Sequence, residues 1–484
     1  MKISPKNRNV LIFLLIISLV IIITRVPLYP DYFYHIDCGN FILALDDYDI
    51  AASQPQPPGY YGFVALGNLS NLVFNNPHLA YLALSTLSNI FLSVTLFFLA
   101  RRMFGVTAAV ITTILSMISP VFWFNSIVAF SYMTAAAFAV LFAYLVYDTY
   151  TKRDWRAAIY SSAILGLLGG IRQDCLIIFF PLWILSIRAL RKKQVLYCST
   201  ILLLFVLLWF LPMVSMSGGL DSYLSAVDKQ YSGRVQSLSV FSDPSNAIGN
   251  LTRMSKTIIN TVSLMGIVIL FYATVLIIRR KCTRLLRDKR IIFLTIWFFP
   301  AFFFYLLIHF TNPGYIIPVL PALLIILASS IVLLAKIFSR SCVQVKRRIT
   351  VLLTLLVSVI LIYTFLFYSP GGSDIYASHS HYSDIQLHDR VMDSEVAFIK
   401  SEYASSETTL LADSAFYFGL QHLRYYLPDY ESVEITRYLP LSDMDISSEG
   451  IRDYYTDSDS YSELFSRMGS ETYPFTFHIN EVPN

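Results

Sequence analysis

Apolar runs long enough to cross a bilayer fill most of the first 368 positions. They lie near 10–28, 78–100, 106–124, 126–148, 156–172 and 174–190, then near 195–216, 257–278, 291–311, 314–336 and 349–368. A hydrocarbon core of about 30 Å takes about 20 helical residues, so the pattern predicts about eleven transmembrane helices. Three polar-interrupted segments are too long to be simple connectors: 25–77, 217–256, and everything after 368. In the first, the pattern predicts a helix over Phe33 to Leu45, a turn at Gln54 to Gly59, and a helix over Tyr60 to Phe74. Asn68, Ser70 and Asn71 suit that last helix to the membrane surface rather than to a span. The second holds a short predicted helix over Leu220 to Gln230. In the tail, a helical stretch from Glu395 is followed by Thr409 to Ala412, a helix around Ala415 to Arg424, and Val433 to Thr436. Strand, helix, strand in that order predicts a small α/β unit, and the Ser-, Asp- and Tyr-rich stretch after Asp443 predicts loose structure. The expected fold class is an all-α polytopic membrane protein, with a transmembrane domain over 1–368 and a C-terminal α/β region over 369–484.

Charge orients this pattern. Residues 1–368 hold 12 acids, all Asp, against 30 bases, whereas 370–484 hold 20 acids and 6 bases. With the N-terminus in the cytoplasm, 24 of the 30 bases fall in inside segments, leaving only Arg25, Arg172, Lys229, Arg234, Arg253 and Lys256 elsewhere. That distribution follows the positive-inside rule and puts the acidic tail on the extracytoplasmic side of a cell membrane. The composition, 56% hydrophobic and 14% charged, excludes a soluble globule. The first run ends Ile21-Ile22-Ile23 before Arg25 and offers no small-residue cleavage site, so it is expected to remain as a span. Cys38 and Cys175 share the predicted outer side, either as a bridge or as two buried thiols.

Carboxylates are rare in the body and concentrate in the first outer loop, where Asp31, His35, Asp37, Asp46, Asp47 and Asp49 fall within 19 residues. In the predicted helix Asp37 stands among Phe33, Ile36, Phe41, Ile42 and Leu45. A poorly solvated carboxylate there suits general-base work on an acceptor hydroxyl or amine, whereas Asp46, Asp47 and Asp49 read as a solvated helix end. No Walker loop, HExxH or Cys/His metal cluster occurs. No cofactor and no nucleic-acid partner is expected, with a divalent cation left as an open alternative.

Asp37, Asp47-Tyr48-Asp49-Ile50-Ala51 and Gln56-Pro57-Pro58-Gly59-Tyr60 together resemble the first outer loop of GT-C membrane glycosyltransferases. The likeness is to bacterial and archaeal relatives of protein O-mannosyltransferases and of the lipid A aminoarabinose transferase. Ser119 to Phe124, Ala129-Phe130-Ser131-Tyr132, Gly169 to Asp174, His309 to Tyr315, and Tyr425 to Tyr430 continue it in order. The resemblance implies transfer of a sugar from a polyprenyl-phosphate donor to a glycan, lipid or protein acceptor outside the membrane, with Asp37 as the catalytic carboxylate. It departs at Asn125-Ser126, where many relatives carry a Glu.

A cation facing the donor phosphate would stabilise charge on the departing oxygen. Arg172 is the first candidate, because Gly169-Gly170 admits a close backbone and a lipid-facing arginine would be costly; the alternative is a pair with Asp174. His309 and Arg234 are further donor-phosphate candidates. His35, Asp47, Pro58, Tyr60, Asp174 and Tyr315 are the expected substrate-binding residues, although interfacial tyrosines also form belts without any ligand. A lipid-linked-sugar flippase and a non-catalytic scaffold are the rival readings.

Overall fold

The computed structural model describes residues 5–279, 288–339, 342–369, 379–406, 408–413, 419–435 and 477–481. The chain opens with α1 (Pro5–Arg25), α2 (Ile36–Leu43), α3 (Tyr61–Phe74), α4 (Pro77–Phe104), α5 (Val106–Ile118) and α6 (Pro120–Asn125). It continues with α7 (Ser131–Lys152), α8 (Trp155–Ile171), α9 (Asp174–Ile187), α10 (Lys192–Met216), α11 (Leu220–Gln230) and α12 (Asn246–Arg279). Then come α13 (Lys289–Leu307), a 3-10 segment (Pro313–Val319), α14 (Leu320–Phe338) and α15 (Val343–Leu366). The C-terminal region supplies α16 (Tyr382–Glu402), β1 (Thr408–Asp413), α17 (Leu420–Tyr426), β2 (Glu431–Ile435) and β3 (Phe477–Glu481).

Every one of the eleven apolar runs is helical. Eight helices among the described residues are long and apolar enough to cross a membrane, while α5, α8 and α9 are shorter. The run at 106–124 is divided because Ser119 is extended ahead of Pro120, which begins α6. Helix α12 kinks at Ser263, whose φ is +65°, and the Ser263 hydroxyl accepts the N–H of Gly266.

Contacts divide the chain into two compact units, Met1–Tyr29 with Pro57–Asp384, and Pro30–Gln56 with Ile385–Asn484. The first is the helical body. Helix α7 buries Ala135, Ala136, Ala139 and Ala143, and it packs on α4. Small residues let helices approach where lipid supplies no hydrophobic drive between them. Two of the buried hydroxyls there pair, Ser88 with Thr134 at 3.0 Å and Ser85 with the Val128 carbonyl at 2.8 Å. The α8 glycines serve the same end: a Cβ on Gly170 would lie 2.7 Å from the Trp209 ring, and one on Gly62 of α3 would lie 2.9 Å from the Gly170 carbonyl carbon. Gly170→Ala is therefore expected to cost about 1–3 kcal/mol by overpacking, read as a lower melting temperature of the purified protein. Cys175 belongs to this unit and is a free, buried thiol.

The second unit joins the acidic region to part of the first loop, so the boundary in composition near residue 368 is not a boundary in packing. Its sheet has the order β2-β1-β3, with β1 parallel to β2 and antiparallel to β3. The strand–helix–strand unit expected from the tail is present, with its helix at Leu420–Tyr426; residues 415–418 of the expected helix lie outside the described ones. β3 lies within the stretch expected to be loose, because β1 offers it a second edge; residues 443–476 of that stretch lie outside the described ones. Phe33 is fully buried against His422 and Tyr426, with ring centroids 4.3 and 5.1 Å away. Its N–H donates to the Tyr426 hydroxyl at 2.8 Å, and its carbonyl accepts from His422 Nε2 at 3.0 Å. Asp389 accepts the N–H groups of Asp31 and Tyr32. Cys38 of this unit is also buried, and because Cys175 is a free thiol the bridge left open by the sequence does not form.

Two buried ionisable groups give this unit opposed pH dependences. Glu395 is 2% exposed, its Oε2 has no hydrogen-bond partner among the described residues, and burial raises its pKa to about 7. A raised folded pKa means stability fully present below the unfolded value of about 4.5 and lost as pH rises through about 7, by about 3 kcal/mol. His422 behaves in the reverse sense: burial, then neighbouring His388, push it well below its ordinary value, so stability is lost as pH falls below about 6.5. Glu395→Gln is expected to flatten the loss between pH 5 and 8 in thermal melts and to leave the acid-side loss of His422.

Candidate functional site

Arg172 caps α8 at its C-terminal end, where a cation meets the unpaired carbonyls, and it is 4% exposed. Its guanidinium makes a two-point contact with Asp174, Nε to Oδ1 at 3.3 Å and Nη2 to Oδ2 at 2.7 Å. The Tyr305 hydroxyl donates to the same Asp174 Oδ2 at 2.6 Å, and Ser131 Oγ lies 3.5 Å from Arg172 Nη1. Three further rings surround the guanidinium carbon, Tyr132 at 4.7 Å, Tyr315 at 5.2 Å and Tyr60 at 5.8 Å. Residues separated by more than 250 positions thus meet around one buried ion pair.

Local sequence explains each placement. Gly59 has φ +116° and Tyr60 φ +44°, a turn that starts α3, and the Gln173 amide donates to the Pro58 carbonyl at 3.4 Å. Asn312 caps the N–H of Gly314 at 2.8 Å, and Gly314 is obligatory because a Cβ there would fall 2.1 Å from the Tyr132 ring. His309 lies 5.2 Å from Tyr315, and its Nδ1 is buried with no hydrogen-bond partner among the described residues. Arg234 falls in the π-helical turn Tyr231–Val235, and its side chain lies outside the described residues.

Asp37 belongs to the other unit. Helix α2 begins at Ile36 rather than at Phe33, because His422 and Tyr426 take up the backbone groups of Phe33 and His35 acts as the N-cap. Asp37 is thus in the first turn, where the helix dipole favours a carboxylate, and its side chain is 28% exposed. His35 Nδ1 accepts the backbone N–H of Asp37 at 3.0 Å. That nitrogen carries no proton, so its 3.7 Å approach to the Asp37 carboxylate is not a charged pair. Gly39 allows the close packing of α2 on α17, since a Cβ would lie 2.7 Å from the Phe33 ring and 2.8 Å from Gln421. Asp47 is exposed, in keeping with a solvated helix end.

Four of the motifs that resemble the family, Gln56 to Tyr60, Ala129 to Tyr132, Gly169 to Asp174 and His309 to Tyr315, therefore meet at Arg172 in the helical body, while Asp37 and Asp47 belong to the other unit. Tyr305 escaped sequence reasoning because it stands in a run of phenylalanines; a lone hydroxyl in such a run is the signal. Asn125 and Ser126 are fully buried: the Asn125 amide donates to the Val121 carbonyl, and Ser126 Oγ donates to the Trp123 carbonyl.

Solved structures share this architecture. ArnT from Cupriavidus metallidurans bound to undecaprenyl phosphate aligns with a TM-score of 0.51 at 14% identity, over 89% of this chain and 86% of that one. The apo form of the same protein gives 0.52 at 15%, over 90% and 87%. The apo oligosaccharyltransferase of Archaeoglobus fulgidus gives 0.51 at 12%, over 87% of this chain and 64% of that one. The fold is GT-C. No family model and no curated protein matches the chain.

Proposed function

We propose that this GT-C protein is a lipid-linked-sugar glycosyltransferase acting at the extracytoplasmic face, with its N-terminus cytoplasmic and its C-terminal region outside. The observation that carries the reading is the convergence of the Pro58–Tyr60, Ser131–Tyr132, Arg172–Asp174 and His309–Tyr315 motifs on one buried guanidinium. A charge this costly to bury marks a working site in a membrane protein. Its likeness in fold to an ArnT that binds undecaprenyl phosphate supports a polyprenyl-phosphate donor.

In this reaction Asp37 takes the proton of the acceptor nucleophile as that atom attacks the anomeric carbon. The anomeric C–O bond breaks, and its electron pair leaves on the phosphate oxygen. Arg172, with His309, faces that phosphate; Asp174 and Tyr305 hold the guanidinium in place, since each fixes an oxygen or N–H that would otherwise rotate. Tyr60, Tyr315 and the Pro58 turn are the substrate-binding groups of the helical body, and His35 and Asp47 are those of the other unit. Attack from the face opposite the phosphate inverts the anomeric configuration. NMR of the product from an α- or β-linked donor tests this: the opposite anomer is expected, and retention would rule the single-displacement mechanism out.

A further inference from the structure

The body contains a second buried arginine whose partners differ from those of Arg172. Arg25, the last residue of α1, is 1% exposed. Its Nε donates to Ser126 Oγ at 3.2 Å, Nη1 to Thr24 Oγ1 at 2.7 Å, and Nη2 to the Met117 carbonyl. All three acceptors are neutral, and no carboxylate pairs with Arg25 among the described residues. Its guanidinium carbon sits 4.4 Å from the centre of the Trp123 ring, whose other neighbour is Phe365 at 4.5 Å. Two of the five guanidinium N–H groups are left over. On α6 and at its N-cap, Trp123 Nε1 and Ser119 Oγ are also buried without a hydrogen-bond partner among the described residues. The carbonyls ending α1 favour a cation but fall short of the cost of burying one without a counter-charge.

The two arginines reach the same short connection. Arg25 binds Ser126 at the end of α6, and Arg172 approaches Ser131 at the start of α7, five residues on. Arg172 is neutralised by Asp174, whereas Arg25 is not. Sugar transfer takes the phosphate from a monoanionic diester to a monoester bearing a further negative charge. Only a cation without a carboxylate can take up that added charge in full.

Resting on the glycosyltransferase reading above, we propose that Arg25, with the Trp123 Nε1–H, is a second phosphate-binding group for the polyprenyl-phosphate ligand. Phosphate oxygens replace the neutral oxygens that now satisfy the guanidinium. The chemical class it selects is a lipid phosphate monoester, and it does so over the uncharged alcohol of the same chain.

The test compares binding of undecaprenyl phosphate and undecaprenol to the full-length protein in nanodiscs. Wild type should prefer the phosphate. Arg25→Gln should lose about ten- to hundredfold in phosphate affinity, the scale of hydrogen bonds to a charged group, with undecaprenol affinity unchanged. Trp123→Phe keeps the ring between Arg25 and Phe365 and removes only the N–H; it should lose several-fold for the phosphate alone, and it serves if Arg25→Gln fails to fold. A wild type that prefers the phosphate, with variants that keep that preference in full, overturns the role of Arg25 and leaves the glycosyltransferase reading intact. A wild type with no preference overturns both.

Discussion

Asp174→Asn is expected to destabilise the helical body by about 3–5 kcal/mol, the cost of leaving one member of a buried pair without its counter-charge. The Arg172 guanidinium would keep only Ser131 and the tyrosine faces, and Tyr305 would lose the charged acceptor to which it donates at 2.6 Å. The double variant Arg172→Leu with Asp174→Leu is the informative control, because apolar replacement of both members of a buried pair is often neutral or stabilising. Thermal melts in detergent should therefore place the double variant above either single one. That outcome would show that the pair is kept for its charge, at a net expense in stability, as a binding group is. If the double variant melts below both singles, the pair is a structural element and the donor-phosphate role of Arg172 loses its support.

Asp37→Asn is expected to reduce turnover by about 10²–10⁴, the range for removing a general base. The substitution keeps shape and the N-terminal position on α2, so the cap by His35 and the packing of Gly39 on Phe33 and Gln421 should survive. Melting should change little, whereas kcat should collapse with KM for the donor nearly unchanged, as the proposed action of the carboxylate on the acceptor proton requires. His35→Ala separates positioning from chemistry. Loss of an N-cap costs about 1 kcal/mol and lets the first turn fray, so turnover should fall by less than in Asp37→Asn.

The helical body was legible because a hydrocarbon solvent demands long apolar runs and leaves charges at their ends. All eleven runs are helices, and α3 and α11 fall at the predicted positions. Local pattern failed where distant residues decide. Phe33 and Tyr34 are apolar and read as helix, yet His422 and Tyr426, nearly 400 positions on, bind the backbone of Phe33 and keep it outside the helix. The grouping of residues 30–56 with the C-terminal region is invisible for the same reason. At the site, Arg172, Asp174, Tyr60 and Tyr315 could be named from motif residues, and their meeting is a tertiary fact. Arg25 stood out in the sequence only as an exception to the charge rule; its significance comes from neutral partners that no spacing encodes.

The most direct test of the account is release of free polyprenyl phosphate from a panel of polyprenyl-phosphate sugars by the lipid-reconstituted protein. It is run with cell-envelope extract as acceptor and beside Asp37→Asn. The account predicts release from one donor in the panel, dependent on acceptor and reduced at least a hundredfold in the variant. No release from any donor, or equal release by wild type and Asp37→Asn, would contradict it.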